Sequence, residues 1–493
     1  MIPRKHRIRR LVCELSLAGA GEALVLQQRV GELCRTAIPA ELDRMLSAFA
    51  GPERLVQIDR IELDLGIVHP ELIEDLPGRI GAALRDDLLK RSLREDGLSD
   101  LSGESEEEAS EQLLSRQQGM VKSGERRGER DGMVVLSDQG ARREAFRHFL
   151  RTGLLPWWAE QPGLTLEEMA MDLIVDNREE AEAMFRQELR ERAVRSRLIS
   201  QFSLTFLEEV ADLLSPGRSG RITEIMTRLR VDAERSGLPG RSFRETSFPL
   251  WDALFLALSV EGALMQERIT LITEKAAEAA GQDAGLLLRF LLKILRGEDA
   301  QAPVSAKESQ VSPVQDETLR QEPEDRAIYG IPVSNAGLIL LWPYLPAFFE
   351  NCNLLKEGAF RDRDAQAQAV RLLHYLATGE ETPPEYLLPL NKILCGWDLF
   401  ETLERETAIT DHERTEAENL LSTVISHWQA LKETSAEGFR EAFLRREGLL
   451  RKGEKGWILQ VERRGYDMLL DKLPWGIAMI RLSWMKGALS TEW

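Results

Sequence analysis

The sequence predicts a mainly α fold with small α+β parts: helical modules joined by flexible linkers, with short strands near both termini. Three observations carry this prediction. Apolar stripes of helical period recur along the chain, and glycine or proline interrupts them roughly every 10 to 25 residues. Period-two alternation is confined to short runs near the two ends. Two low-complexity stretches, 93–140 and 297–327, bury too little apolar surface to offset the entropy of ordering.

The linkers leave three ordered blocks. The first, 6–92, reads strand, helix, strand, helix. Leu11, Cys13, Leu15 and Leu17 alternate with Val12, Glu14 and Ser16, the period of a strand. Gly19-Ala-Gly21 breaks it. A helix over 22–50 carries Leu24, Leu26, Val30, Leu33, Leu42, Met45, Leu46 and Phe49, with Pro39 marking a kink or a break. Val56, Ile58, Ile61, Leu63 and Leu65 form a second strand, and the slip near Asp59-Arg60 suggests a β-bulge. Pro70 to Arg94 is amphipathic helix.

The stretch 93–140 is an acidic low-complexity linker that includes Glu106-Glu-Glu108. The second block, 141–296, is helical throughout, with helices expected near 165–176, 178–200, 203–214, 219–236, 247–262, 264–280 and 284–296. Its first helix ends at Gly153, and Pro156-Trp157-Trp158 follows, a glycine-then-proline stop. After the Pro/Ser/Glu-rich linker 297–327, the third block, 328–493, is mostly helical and ends in strands at Trp457–Val461 and Ile477–Trp484. It holds seven of the ten tryptophans, which implies an aromatic core, a binding surface, or both.

A faint repeat links two blocks. His148-Phe-Leu-Arg-Thr-Gly153 matches His374-Tyr-Leu-Ala-Thr-Gly379, and proline follows each. One reading makes the histidines a shared site. The other makes the motif a helix-end module used twice, with glycine in the left-handed cap position.

The net charge of −18 argues against nonspecific nucleic-acid binding, which needs clustered cations. No apolar run approaches the roughly 20 residues of a membrane span, and the basic start leads into alternation instead of a greasy signal segment. Synthesis in the cytoplasm is expected, with Cys13, Cys34, Cys352 and Cys395 as reduced thiols lacking metal-like spacing.

Catalytic, cofactor and metal motifs do not assemble. Gly19-Ala-Gly21 lacks the third small residue of a dinucleotide fingerprint, and the following helix is too long. His412-Glu-Arg-Thr-Glu416 starts like a zinc-protease motif but puts Glu416 where the second histidine belongs. The reading is therefore no enzyme, no cofactor and no metal.

The chain nevertheless resembles a known family. Leu473-Pro-Trp-Gly-Ile-Ala-Met-Ile-Arg-Leu-Ser-Trp-Met485, with Glu492-Trp493, resembles the ending of contractile injection system tape measure proteins. Phe149-Leu-Arg-Thr-Gly-Leu-Leu-Pro-Trp-Trp158 is similar to their middle motif, and Ile58-Asp-Arg-Ile-Glu-Leu-Asp-Leu-Gly66 to their N-terminal region. The resemblance implies a non-enzymatic structural or assembly component of a bacterial phage-tail-like particle that delivers toxin. It implies other particle subunits as partners, namely inner tube, baseplate or cap and cargo toxin, and it allows self-association. It places the chain in the cytoplasm during assembly and within the released extracellular particle.

A wholly helical chain would span roughly 740 Å at about 1.5 Å per residue. The glycine and proline breaks instead favour compact modules, so ruler and assembly adaptor stand as two readings. Pro156, Trp157, Trp158, Trp342, Pro474, Trp475, Trp484, Met485 and Trp493 are the expected signature or interface residues. Trp475 and Trp484 are expected in the core, and Trp493 is the expected outward contact.

Overall fold

The structure, a computed structural model, describes residues 8, 11–16, 23–49, 54–58, 60–95, 133–156, 158–159, 165–215, 243–259, 330–403, 408–431, 434–453 and 456–493. Most of the two expected linkers, Gly19–Gly21, Trp157 and the helices expected at 219–236, 264–280 and 284–296 lie outside the described residues. The fold is mainly α with short strands, in two compact units, Met1–Glu144 and Ala145–Trp493.

In the first unit, Pro39 decides where the first helix stops. The expected single helix is two: α1 (Ala23–Arg35) and α2 (Ala37–Phe49). A proline ring excludes the carbonyl four residues earlier, here that of Arg35, so the break falls at Thr36 and Pro39 sits in the first turn of α2. Helix α3 (Leu76–Glu95) completes the core. Leu26 and Val30, then Ile38, Leu42 and Met45, then Ile80, Leu84 and Leu88 face one another at helical spacing.

The expected second strand is shorter than its pattern. Strand β1 (Arg54–Ile58) ends before the anticipated bulge. Beyond it Ile61, Leu63 and Leu65 still alternate inward against the core, held by Arg79 donating to the Leu65 carbonyl at 2.7 Å and Arg91 to the Arg60 carbonyl at 3.2 Å. Alternation there reports one buried face and no ladder. The antiparallel partner of β1 is β2 (Met133–Ser137), with Val56 opposite Val135. Its residues fall inside the stretch read as linker, where the flanking composition hides a five-residue strand. Residues 11–16, expected as a strand, are exposed and outside regular secondary structure, and no strand pairs with them among the described residues.

The second unit begins in a phenylalanine-rich helical core. Helices α4 (Asp138–Thr152), α5 (Leu166–Asp176), α6 (Arg178–Glu188), α7 (Arg192–Gln201), α8 (Leu204–Leu214) and α9 (Phe243–Ser259) supply it. The expected helix over 178–200 is divided between α6 and α7. Phe146 meets Phe185 and Phe202 edge-on at 6.0 and 5.7 Å, and Phe202 meets Phe206 at 4.9 Å. Polar caps set the helix starts: Thr165 and Glu168 form a reciprocal capping box, and Asn177 and Ser203 cap α6 and α8.

The rest of the unit surrounds a five-stranded sheet in the order β3 (Ile331–Val333), β6 (Gly448–Gly453), β7 (Gly456–Val461), β9 (Ala488–Glu492), β8 (Met479–Ile480). A two-stranded hairpin, β4 (Leu355–Lys356) with β5 (Ala359–Phe360), stands apart from it. Strands β7 and β9 run parallel and the other pairs antiparallel. Helices α10 (Leu345–Asn351), α11 (Arg363–Thr378), α12 (Pro389–Leu394), α13 (Asp411–His427) and α14 (Ala436–Phe439) pack around a core that includes Leu340, Leu373, Leu394, Trp428, Leu459 and Leu489.

Strand β7 falls where the sequence places it. The expected strand over 477–484 shrinks to β8, because a turn closed by Met485 N–H donating to the Leu482 carbonyl at 3.0 Å redirects the chain. The polar run Ala-Leu-Ser-Thr-Glu then forms β9, with Leu489 fully buried.

Candidate functional site

The C-terminal aromatic segment is built into the fold by its indole N–H groups, each of which has a partner in the chain. Trp475 donates to the Leu340 carbonyl at 3.0 Å, and Trp342 donates to the Gly476 carbonyl at 2.9 Å. Trp484 donates to the Leu394 carbonyl at 2.9 Å, and Trp493 to the Asp467 carboxylate at 3.0 Å. The rings pack as well: Trp475 on Tyr344 at 5.2 Å, and Trp484 on Phe349 and Phe360 at 5.7 and 5.2 Å. Met485 is buried, while Pro474 is exposed and the four tryptophans are half-buried.

Gly396 lets the backbone at Trp484 approach. Its φ of 68° is left-handed, and a Cβ there would lie 2.3 Å from the Trp484 carbonyl oxygen.

Trp493 closes a second cluster. The fully buried Arg446 pairs with Asp467, and its guanidinium lies 5.1 Å from the Tyr466 ring and 5.4 Å from the Trp493 ring. One carboxylate thus serves a cation, an indole and, through the Arg464 N–H at 2.9 Å, the start of the turn at Gly465–Lys472. Arg463 also donates to the Trp493 carbonyl at 3.2 Å.

Around this segment the exposed large apolar residues include Tyr466, Met468 and Met479, the last on the edge strand β8.

The other predicted motif lies beside a buried ionic centre. Pro156 is buried and Trp158 half-buried just after Gly153. Arg197 on α7 bonds the Glu385 carboxylate at 2.9 Å, the Leu150 carbonyl at 2.6 Å and the Phe400 carbonyl at 2.7 Å. Lys392 on α12 bonds the other Glu385 oxygen at 2.6 Å and the carbonyls of Leu399 and Glu401 at 3.1 and 2.9 Å. Gln201 accepts the Glu385 N–H at 3.0 Å.

All three charged groups are essentially inaccessible, and burial pulls the Lys392 ammonium below its ordinary pKa while Glu385 opposes that shift. Two cations share one carboxylate, and backbone carbonyls satisfy the remainder. The cluster joins the phenylalanine-rich helices to the C-terminal block. Sequence reasoning missed it because its members are far apart in the chain. On α7 residues Val194 to Ser200 are all buried although two are arginines, a burial that only the fold reveals.

The His-Thr-Gly repeat is one hydrogen-bonding module used twice. Thr152 Oγ1 donates to the His148 carbonyl at 2.7 Å, and Thr378 Oγ1 to the His374 carbonyl at 2.9 Å. Gly153 and Gly379 have φ of 73° and 77°, and their N–H groups close on Phe149 and Tyr375 at 2.7 and 2.8 Å. The threonine oxygens then accept the next N–H, from Leu154 and Glu380, each at 3.1 Å. His374 is buried, with neither ring nitrogen hydrogen-bonded, and burial holds its pKa down at about 4 against the opposing pull of Glu380 at 3.8 Å.

His412 and Glu416 tie α13 to α10 through the Asn351 carbonyl and side-chain amide, at 3.0 and 2.8 Å. Among the described residues, no group of three or more histidines, cysteines or acids could hold a metal, and no helix is long and apolar enough to cross a membrane.

A family model described as contractile injection system tape measure protein matches residues 5–493. The chain belongs to this family. No curated protein and no solved structure matches it. As a tape measure family member it is a component of a contractile injection system, and other subunits of such a particle are its partners. The family's role is structural, and the aromatic segment, the ionic centre and the glycine-capped helix ends all lie within the matched span.

Proposed function

We propose that the chain is a non-enzymatic tape measure protein that supports the length of the inner tube as a series of folded modules. The observation that carries this reading is the family match over residues 5–493. The modules are 6–92, to which strand β2 adds, and 141–296 with 328–493, which the Arg197–Glu385–Lys392 cluster joins; the rest of 93–140 and 297–327 serve as connecting spacers. Folded modules fit the chain better than one continuous rod, because its helices are short and end at glycine, proline or polar caps. The chain assembles in the cytoplasm and is carried in the released particle.

We further propose that another particle subunit docks on the C-terminal aromatic segment, at the exposed Pro474 and the solvent-facing parts of Trp475 and Trp493. Trp342, Trp484, Met485, Pro156 and Trp158 then act as signature residues that shape the fold, and Trp157 is a signature residue outside the described ones. The exposure of Met468 and Met479 near this segment supports a partner-facing surface.

Deleting the gene and imaging the particles tests the main reading. Tubes of altered or uncontrolled length are expected. Absence of particles would point to an assembly adaptor instead, and normal loaded particles would overturn both readings. Replacing Met479 with Glu tests the docking surface: folding should persist while incorporation into particles falls, and undiminished incorporation counts against it.

A further inference from the structure

We propose that Cys13 and Cys34 form a reversible disulfide that ties the segment 11–16 to helix α1. This goes beyond the tape measure reading and does not depend on it. The two sulfurs lie 3.4 Å apart, on residues separated by 21 positions. A disulfide needs an S–S distance of ~2.05 Å, so a closure of roughly 1.4 Å forms the bond. Cys13 is exposed and Cys34 is half-buried, so a small reagent can reach the pair, whereas Cys352 and Cys395 are buried in the second unit.

The two ends of the link differ in character. Residues 11–16 are exposed and outside regular secondary structure. Cys34 sits on a regular helix and packs with Leu33 against the core of Leu26, Val30 and Ile38. The bond would therefore anchor a weakly held segment to a fixed point. Such a pair stays reduced in a glutathione-rich cytoplasm and closes in an oxidising medium.

The oxidant is a low-molecular-weight disulfide, RSSR. One protein thiol releases its proton, and the thiolate attacks RSSR, forming a mixed disulfide and expelling RS⁻, which takes up that proton. The second protein thiol likewise loses its proton and attacks the bound protein sulfur, expelling the second RS⁻ as RSH. Two protein thiols and one RSSR become one protein disulfide and two RSH. Partial desolvation and the neighbouring Cys34 push the Cys13 thiol up to about 11, which slows the exchange at neutral pH, so incubation should run for hours.

The test uses the full-length chain, reduced, incubated with oxidised glutathione at low protein concentration, blocked with N-ethylmaleimide and digested with trypsin without reduction. Cleavage after Arg10, Arg29 and Arg35 puts Cys13 and Cys34 on separate peptides, 11–29 and 30–35. The expected product is these two peptides joined, in the majority of monomeric chains, released by dithiothreitol and absent from Cys34→Ser. Circular dichroism of that variant should match the parent. The proposal is overturned if both cysteines carry maleimide, if each carries its own glutathione, or if the link joins two chains.

Discussion

Trp342 and Trp475 hold each other's backbone: the Trp475 indole bonds Leu340 two residues before Trp342, and the Trp342 indole bonds Gly476 next to Trp475. Replacing Trp475 with Phe removes one donor and leaves the buried Leu340 residue's carbonyl short of a partner, which should cost about 1–3 kcal/mol. Trp475→Ala also removes ring packing on Tyr344 and should cost more. Urea unfolding followed by fluorescence measures both. If the alanine variant keeps full stability but no longer enters particles, Trp475 is an interface anchor and its part in stability is refuted.

The Arg197–Glu385–Lys392 cluster makes an ordered prediction. Glu385→Gln leaves two buried cations without their carboxylate and should destabilise by about 3–5 kcal/mol. Lys392→Met keeps the Arg197–Glu385 pair and should cost less. Equal losses in the two variants would show that the carboxylate is not the centre of the cluster.

The two module glycines separate backbone strain from crowding. Both have positive φ, so alanine at either should cost roughly 1 kcal/mol. A Cβ at Gly379 meets nothing within 4 Å, whereas one at Gly153 lies 2.9 Å from the Glu385 carboxylate. Gly153→Ala should therefore be the more damaging change by thermal melting, and the reverse order would contradict the geometry.

His374 gives the fold an acid limit. Its pKa is lowered from an ordinary 6.5 to about 4, so the unfolded chain binds the proton first as pH falls. The stabilisation is complete above about pH 6.5 and is lost on descending to about pH 4, by at most about 3 kcal/mol. His374→Asn should flatten the stability curve across that window and leave it unchanged in slope above pH 7. Identical slopes in parent and variant would exclude His374 as the source.

What the sequence disclosed followed from local physics. Helix stripes, the glycine stops and strand β7 each depend on neighbours a few residues apart. The tryptophans could be singled out, because such density near one end is unusual, but their partners could not. Leu340, Leu394 and Asp467 are chosen by the fold, and only the completed fold brings their oxygens to the indoles. Arg197 stands 188 residues before Glu385, so only the fold brings the members of the ionic centre together. Strand β2 was hidden by the Gly- and Arg-rich stretch before it, and β9 by its polar composition. The alternation at 61–65 was real, yet one buried face produces it without a neighbouring strand.

Strand β9 carries a consequence for the order of events during synthesis. It lies between β7 and β8 and is translated after both. Until residues 488–492 emerge from the ribosome, the parallel edge of β7 is open, Ile480 has no strand beside it, and the apolar faces they share are uncovered. The sheet therefore closes by insertion of β9 between β7 and β8 after both have been made, and nascent chains that have not reached this point present a sticky edge to one another. Chains stalled before residue 488 should be protease-sensitive across 330–480, and chains that include residue 493 resistant.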